Sequence, residues 1–324
     1  MENNLAKGTH IRTLDMQSDL SVIADLIEDS FSLYNDVDGQ AFLRQMRQSA
    51  KFTNIFGILP NWSESFPKTP AGFVWDEGGQ IVGNVNIIPF THHGQKIFLI
   101  ANVAVRPDHR RKGIARALTR HALNFLSGKG VWQIWLQVNQ LNQGAVDLYH
   151  QLEFEDQCCR SSWHLLPGNK LGSDQDLFEN ALLRRRDPRE WQFQKLWLDK
   201  IYPDEIIWHF PVRLQDFSPD SFWEPDRWFE ILKLRHWALS VDDNPIGFLT
   251  WQKTESFADS LWLAPDHRLD EIVTIVSMLQ AIPERVGRNR PLAVDYPCGR
   301  GVEALQSAGF SFVRSLIWMK FAGK

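Results

Sequence analysis

Apolar positions along the chain change their period in a recurring order. "KIFLIANVAV" (96–105) is a nearly continuous apolar run of strand length, closed by Pro107, which cannot donate to a ladder. Directly after it, Ile114, Ala117, Leu118, Ala122, Phe125 and Leu126 recur at spacings of three and four, predicting an amphipathic helix that ends at Ser127-Gly128-Lys129-Gly130. Upstream, "GQIVGNVNIIPF" (79–90) predicts a turn and then a strand with an embedded glycine. "HIRTLDMQSDLSVIADLI" (10–27) predicts a short strand, a polar cap and a helix that begins at the cap. The polar pairs Asp76-Glu77 and His92-His93 fall in turns between these strands.

The same order returns later in the chain. "VRPDHRRKGIARAL" (105–118) and "LAPDHRLDEIVTIV" (263–276) share Pro-Asp-His-Arg, with Pro265 lying 158 positions after Pro107. "DNPIGFLTWQ" (243–252) follows the pattern of 79–90, and "ALLRRRDPREWQFQKLWL" (181–198) that of 10–27. "LAVDYPCGRGVEALQSAGF" (292–310) aligns without gaps on "LQVNQLNQGAVDLYHQLEF" (136–154). Four matches in one order imply an internal duplication with a period of roughly 150 residues, the size of a domain rather than of a solenoid repeat. The chain is therefore expected to be a tandem repeat of one α+β unit. The turn-forming stretch "LPGNKLGSDQD" (166–176) divides it into 1–170 and 171–324, and "LQDFSPDSFWEPDRWFE" (214–230) predicts a long irregular loop inside the second half.

Composition agrees with two domains and narrows the partners. A chain of 324 residues with 44% hydrophobic and 23% charged residues can bury two cores. A net charge of −4 offers no electrostatic footprint for nucleic acid or an anionic membrane. The start "MENNLAKGTHIR" has no apolar core for a signal peptide, and no run approaches the ~18 apolar residues of a membrane span, so a cytoplasmic protein is expected. Cys158, Cys159 and Cys298 form neither a disulfide framework nor a C-x-x-C metal pair, and are read as buried thiols with no metal site.

The turn between strand and helix carries the candidate chemistry. A helix start leaves backbone N–H groups unpaired and carries a partial positive charge of roughly half a unit, which suits a phosphate. Gly113 lets a bulky anion approach the backbone, Ala115 keeps that approach open, and Arg110, Arg111 and Lys112 add positive charge. Arg110-Arg111-Lys112-Gly113-Ile114-Ala115 fits the R/Q-x-x-G-x-G/A motif of the GCN5-related N-acetyltransferase (GNAT) superfamily, and Val103-Ala104-Val105 precedes it as that motif's strand. "LQVNQLNQGAVDLYHQLEFE" (136–155) resembles the family's next strand and helix, with Asn142, Ala145, Tyr149 and Phe154 at matching places. The resemblance covers about 10–167, and about 176–322 as a fainter second copy.

This resemblance implies a three-layer α/β sandwich in each copy, with a mixed, mostly antiparallel sheet flanked by helices. It implies acetyl-CoA as co-substrate and a small-molecule or peptide amine as acceptor. The backbone of Val103 to Val105 would pair with the pantetheine arm, amides from Arg111 to Arg116 would cradle the pyrophosphate, and Asn142 would contact the cofactor. Tyr149 matches the position of the acid that protonates the leaving thiolate, although a Tyr on an apolar helix face is also an ordinary core residue. Relatives often carry a Glu on the strand before the loop; here "FLIANVAV" holds only Asn102 as a polar residue, which leaves the base unassigned. Glu153 stands where relatives usually have Gly, a changed turn. In the second copy Lys112, Gly113, Asn142 and Tyr149 become Asp270, Glu271, Cys298 and Leu305, so that copy is expected to keep the fold and lose the site. A non-catalytic acyl-CoA-binding protein of the same fold is the alternative.

Overall fold

The computed structural model describes residues 10–31, parts of 39–47, 72–168, 178–223 and 231–323, apart from a few single positions within these spans. Its compact units are Met1–Cys158 with Ile317–Lys324, and Cys159–Leu316.

In the first unit the elements are β1 (Ile11–Thr13), α1 (Leu20–Phe31), β2 (Gly72–Glu77), β3 (Gln80–His92), β4 (Gln95–Val105), α2 (Ile114–Leu126), β5 (Gln133–Asn139) and α3 (Gln143–His150). The sheet runs β1-β2-β3-β4-β5 and is antiparallel except between β4 and β5. Helix α2 buries Ile114, Leu118, Ala122 and Leu126 with Val146 and Tyr149 of α3 against Phe73, Trp75, Val85 and Ile100 of one sheet face. Helix α1 buries Ile23, Ala24 and Ile27 with Val74, Ile81 and Ala104 on the other. Each such aliphatic side chain contributes about 1.5–3 kcal/mol when fully buried. Gly83 lets α2 lie close, because a Cβ there would sit 2.8 Å from Ile114 Cγ2 and 3.0 Å from Leu118 Cδ1.

The second unit repeats this plan. Strand β6 (Phe154–Leu165) leads to β7 (Leu182–Arg185), α4 (Trp191–Ile201), α5 (Asp204–Ile207), β8 (Leu234–Val241), β9 (Asn244–Gln252), β10 (Asp259–Pro265), α6 (Glu271–Gln280), β11 (Leu292–Pro297), α7 (Val302–Ser307) and β12 (Ser311–Phe321). Its sheet runs β6-β11-β10-β9-β8-β7, with only β10 and β11 parallel. A capping box of Asp187 and Glu190 opens the turn before α4, at the polar cap that the sequence predicts. Gly247 repeats the role of Gly83, 2.9 Å from Met278 Sδ and 3.0 Å from Thr274 Cγ2 of α6 for a built Cβ.

The compact units do not coincide with the sequence halves 1–170 and 171–324. From residue 169 to 176 the turn-rich stretch that divides those halves lies outside the described residues. Strand β6, the last of the first repeat, pairs over Arg160–Leu165 with β11 of the second unit. The end of β12, the last strand of the second repeat, lies in the first unit, where Met319 joins its core and Phe321 packs on Phe154 at 5.4 Å between ring centroids. The loop at 214–230 is ordered as two 3₁₀ turns, Leu214–Phe217 and Pro219–Trp223; residues 224–230 lie outside the described residues.

One expectation is corrected. Cys159 and Cys298 form a disulfide rather than two buried thiols, and Cys158 takes no part in it. Antiparallel pairing of β6 with β11 sets these residues opposite each other, with Cys298 N–H donating to Cys159 O at 3.0 Å, across 139 residues of sequence. Spacing along a chain carries no trace of such a meeting.

Glu153 adopts φ +64°, and its counterpart in the second repeat is Gly309 at +84°. An L-residue pays for this left-handed conformation with roughly 1–2 kcal/mol, partly offset by the flexibility that glycine adds to the unfolded chain. Glu153→Gly is therefore expected to stabilise the protein by roughly 0.5–1 kcal/mol, a rise in Tm of about 1–4 °C by calorimetry. A fall in Tm would show that the Glu153 side chain stabilises the turn by more than its backbone strain.

Candidate active site

Strands β4 and β5 pair only from Ile97–Ile100 against Gln133–Leu136. Beyond that point β4 continues to Val105 and β5 to Asn139 without pairing, so backbone groups of Val103, Ala104 and Val105 on that side leave the ladder. Parallel strands that part in this way make a cleft with a polar edge. A bulge precedes the opening: Asn84 faces Ala104 while Asn86 faces Ala101, and Asn102 takes φ +51°.

Past Val105 the chain makes a 3₁₀ turn (Pro107–His109) and reaches α2 through Arg110 to Gly113. Arg110 is tied down, its Nε donating to Val105 O at 3.2 Å. Arg111 and Lys112 are exposed, and Arg111 is held at φ +64°. Gly113 is the N-cap at φ +83°, with no side chain capping the helix. The first backbone bond there runs from Ala117 to Gly113, which leaves the amides of Ile114, Ala115 and Arg116 without an acceptor among the described residues. A Cβ on Gly113 would meet no atom of the described residues within 4 Å, so among them the space over these amides is open. Arg116 reaches across to the Gln151 side-chain oxygen.

Asn142 caps α3, its Oδ1 accepting from Ala145 N at 3.2 Å, which fulfils the plain capping role of an Asn at a helix start. Tyr149 is 6% exposed and packs edge-on to Phe154 at 6.0 Å. Burial raises its phenol above the ordinary range, and its hydroxyl has no hydrogen-bond partner among the described residues. A buried Tyr hydroxyl ordinarily finds one. This one is a protonated donor with its bond unused.

Of the pairs expected in turns, Asp76 and Glu77 end β2 and His92 ends β3 instead. His93 and Gly94 connect β3 to β4, and Asp76 accepts from Gly79 N at 2.6 Å and from Arg12 Nε at 2.9 Å. No carboxylate or imidazole lies on β4.

The strand parting recurs in the second copy, where β10 and β11 pair only from Asp259–Leu261 against Leu292–Val294, but the helix start beside it is closed. Asp270 Oδ1 accepts from Ile272 N at 2.9 Å and Val273 N at 3.0 Å, so a side chain satisfies the first-turn amides of α6. Glu271 is held by Tyr296 Oη at 2.5 Å and Arg300 Nη2 at 2.7 Å, placing a carboxylate at the helix start. The Leu263 N–H, on the strand that corresponds to β4, donates to Tyr202 Oη at 3.3 Å. Strands β9 and β10 stay in unbroken register from Ser260 to Pro265, with no bulge. The exchange of Lys112-Gly113 for Asp270-Glu271 was legible in sequence; Tyr202 and Tyr296 were not, because they reach the cleft from elements far along the chain.

Comparison with known proteins bears on the family of the first copy and on the fold. Residues 34–154 match the acetyltransferase (GNAT) family. The chain is 39% identical over 88 residues to N-acetyltransferase 8 of Rattus norvegicus, covering 26% of this chain and 40% of that protein. It is 38% identical over 63 residues to the [ribosomal protein bS18]-alanine N-acetyltransferase of Escherichia coli strain K12, covering 19% and 43%. The matched part thus spans about two fifths of either relative. Among solved structures, a GCN5-related N-acetyltransferase from Sphaerobacter thermophilus superposes with a TM-score of 0.61 at 13% identity, covering 96% of this chain and 94% of that one. A tandem GNAT protein from the clavulanic acid biosynthesis pathway gives 0.53 at 13% identity, covering 96% and 97%. At such identity these superpositions establish the fold. No helix among the described residues is long and apolar enough to cross a membrane. The first copy thus matches the acetyltransferase (GNAT) family over residues 34–154, and the chain as a whole shares its fold with GCN5-related and tandem GNAT structures.

Proposed function

We propose that the protein is an N-acetyltransferase whose first copy moves an acetyl group from acetyl-CoA to the primary amine of a small molecule or peptide. The observation that carries this reading is the contrast between the copies. One helix start has three unpaired amides under open space, and the other is closed by its own Asp270 and Glu271.

Bound acetyl-CoA would supply a thioester whose carbonyl carbon accepts a neutral amine, with release of the thiol. The chain's part is to hold and to protonate. Amides of Arg111 to Arg116 hold the pyrophosphate, the charges of Arg110, Arg111 and Lys112 attract it, and the freed edge at Val103, Ala104 and Val105 pairs with the pantetheine arm. The amide of Asn142, whose oxygen caps α3, contacts the cofactor through its NH₂ group. Tyr149 gives its proton to the sulfur as the C–S bond breaks. With no carboxylate on β4, the proton of the attacking amine passes to water. Residues 171–324, the second sequence half, shape and support the fold rather than catalyse.

Acetyl-CoA at 100 times its Kd is expected to stabilise the protein by about 2.7 kcal/mol in a thermal melt. A thiol-release assay across amines, peptides and antibiotics would then identify the acceptor. No stabilisation by acetyl-CoA, CoA or longer acyl-CoAs would refute the reading. The missing carboxylate favours one other reading, a non-catalytic acyl-CoA binder, which predicts stabilisation without thiol release for any amine.

A further inference from the structure

Asn84 on β3 is fully buried, yet its side-chain oxygen has no hydrogen-bond partner among the described residues. Its Nδ2 makes two bonds, to Asn86 Oδ1 at 2.8 Å and to the Asn102 carbonyl at 3.0 Å. Both partners accept at these atoms, which fixes the orientation of the amide. A fully buried Asn with half its polar capacity unmet is a poor core residue, so its value lies in what the NH₂ group holds.

What it holds is the bulge. Between Asn84 and Asn86 there is one residue of β3, and opposite it Asn102 and Val103 both fit between Ala101 and Ala104. Asn102 adopts φ +51°, in the left-handed region that asparagine tolerates better than most L-residues. One extra residue re-aims everything after it, here Val103 to Val105, where pairing with β5 has already ended. The second copy serves as an internal control. Aligned on Gly83 and Gly247, Asn84 becomes Phe248 and its partner Ala104 becomes Ala264, and there β9 and β10 run in register without a bulge.

We propose that Asn84 is a positioning residue for the acyl group: by holding the Asn102 carbonyl it sets the bulge, and so the backbone of Val103 to Val105 that faces the thioester. The proposal rests on the acetyl-CoA reading above. It is tested by titrating CoA and acetyl-CoA into the full chain by calorimetry for wild type, Asn84→Leu and the isosteric Asn84→Asp. The phosphate cradle lies beyond the bulge, so CoA affinity should stay within about twofold of wild type while acetyl-CoA affinity falls at least about fivefold. Adding Asn102→Gly, which tolerates positive φ, should restore part of the loss. Should Asn84→Leu fail to fold, Asn84→Asp decides. Unchanged acetyl-CoA affinity, equal loss of both ligands, or collapse of both variants would overturn the positioning role. Wild-type protein that binds neither ligand would instead overturn the acetyl-CoA reading itself.

Discussion

Gly113→Glu is expected to abolish the stabilisation by acetyl-CoA, removing the whole of about 2.7 kcal/mol at a ligand concentration 100 times the wild-type Kd. The substitution copies what the second repeat carries at Glu271. Because a Cβ at this position meets no atom of the described residues within 4 Å, the ligand-free fold has room for the side chain among them. Its cost without ligand should be limited to the strain of φ +83°, roughly 1–2 kcal/mol. The loss is thus specific: a carboxylate enters the space over the Ile114 to Arg116 amides and opposes an anion there by about 1 kcal/mol or more, besides blocking it sterically. Glu271→Gly should give the second copy no affinity, because Asp270 still occupies the first-turn amides of α6 and Tyr202 still takes the Leu263 N–H. Thermal melts of both variants with and without acetyl-CoA make the comparison. Full acetyl-CoA stabilisation of Gly113→Glu would remove the phosphate cradle from this loop.

Tyr149→Phe is expected to lower kcat by about 100-fold, within the range for loss of a general acid, and to leave acetyl-CoA affinity unchanged. The structure makes this a clean deletion. The ring packs on Phe154 while the hydroxyl bonds nothing among the described residues, so a phenylalanine keeps the packing and removes only the proton donor. Burial raises the phenol, so its protonated form persists to at least the ordinary phenol pKa of about 10. Tyr149 should therefore add no alkaline fall to the rate profile below that pH. Steady-state rates of thiol release with an identified amine check both statements, and an unchanged kcat across pH would remove Tyr149 as the acid.

Much of this site was written in local pattern. The apolar run 96–105 became β4, the three- and four-residue spacing from Ile114 to Leu126 became α2 with the predicted ends, and Gly113 sits at its N-cap. These features depend on neighbours a few residues away, which is the distance over which periodicity, capping and turn chemistry act. Glu153 was also legible: a residue in place of glycine at a turn, found at positive φ. Asn84 was visible as a polar letter in "GNVN", but nothing in that string says that its amide would meet the Asn102 carbonyl 18 positions later.

The sequence by itself determined the fold class and its tandem plan and singled out the first copy as the candidate site, because a repeated order of elements and the change from Lys112-Gly113 to Asp270-Glu271 are one-dimensional facts. Only the tertiary structure decided the rest. It put Cys159 against Cys298, placed the end of β12 in the first unit and β6 against β11, and brought Tyr202 and Tyr296 into the second copy's cleft. The physical reason is common to all of these. Strand pairing and side-chain packing join residues as many as 167 positions apart, as in Phe154 and Phe321, and which distant partner is chosen depends on the whole sheet rather than on either residue's neighbours.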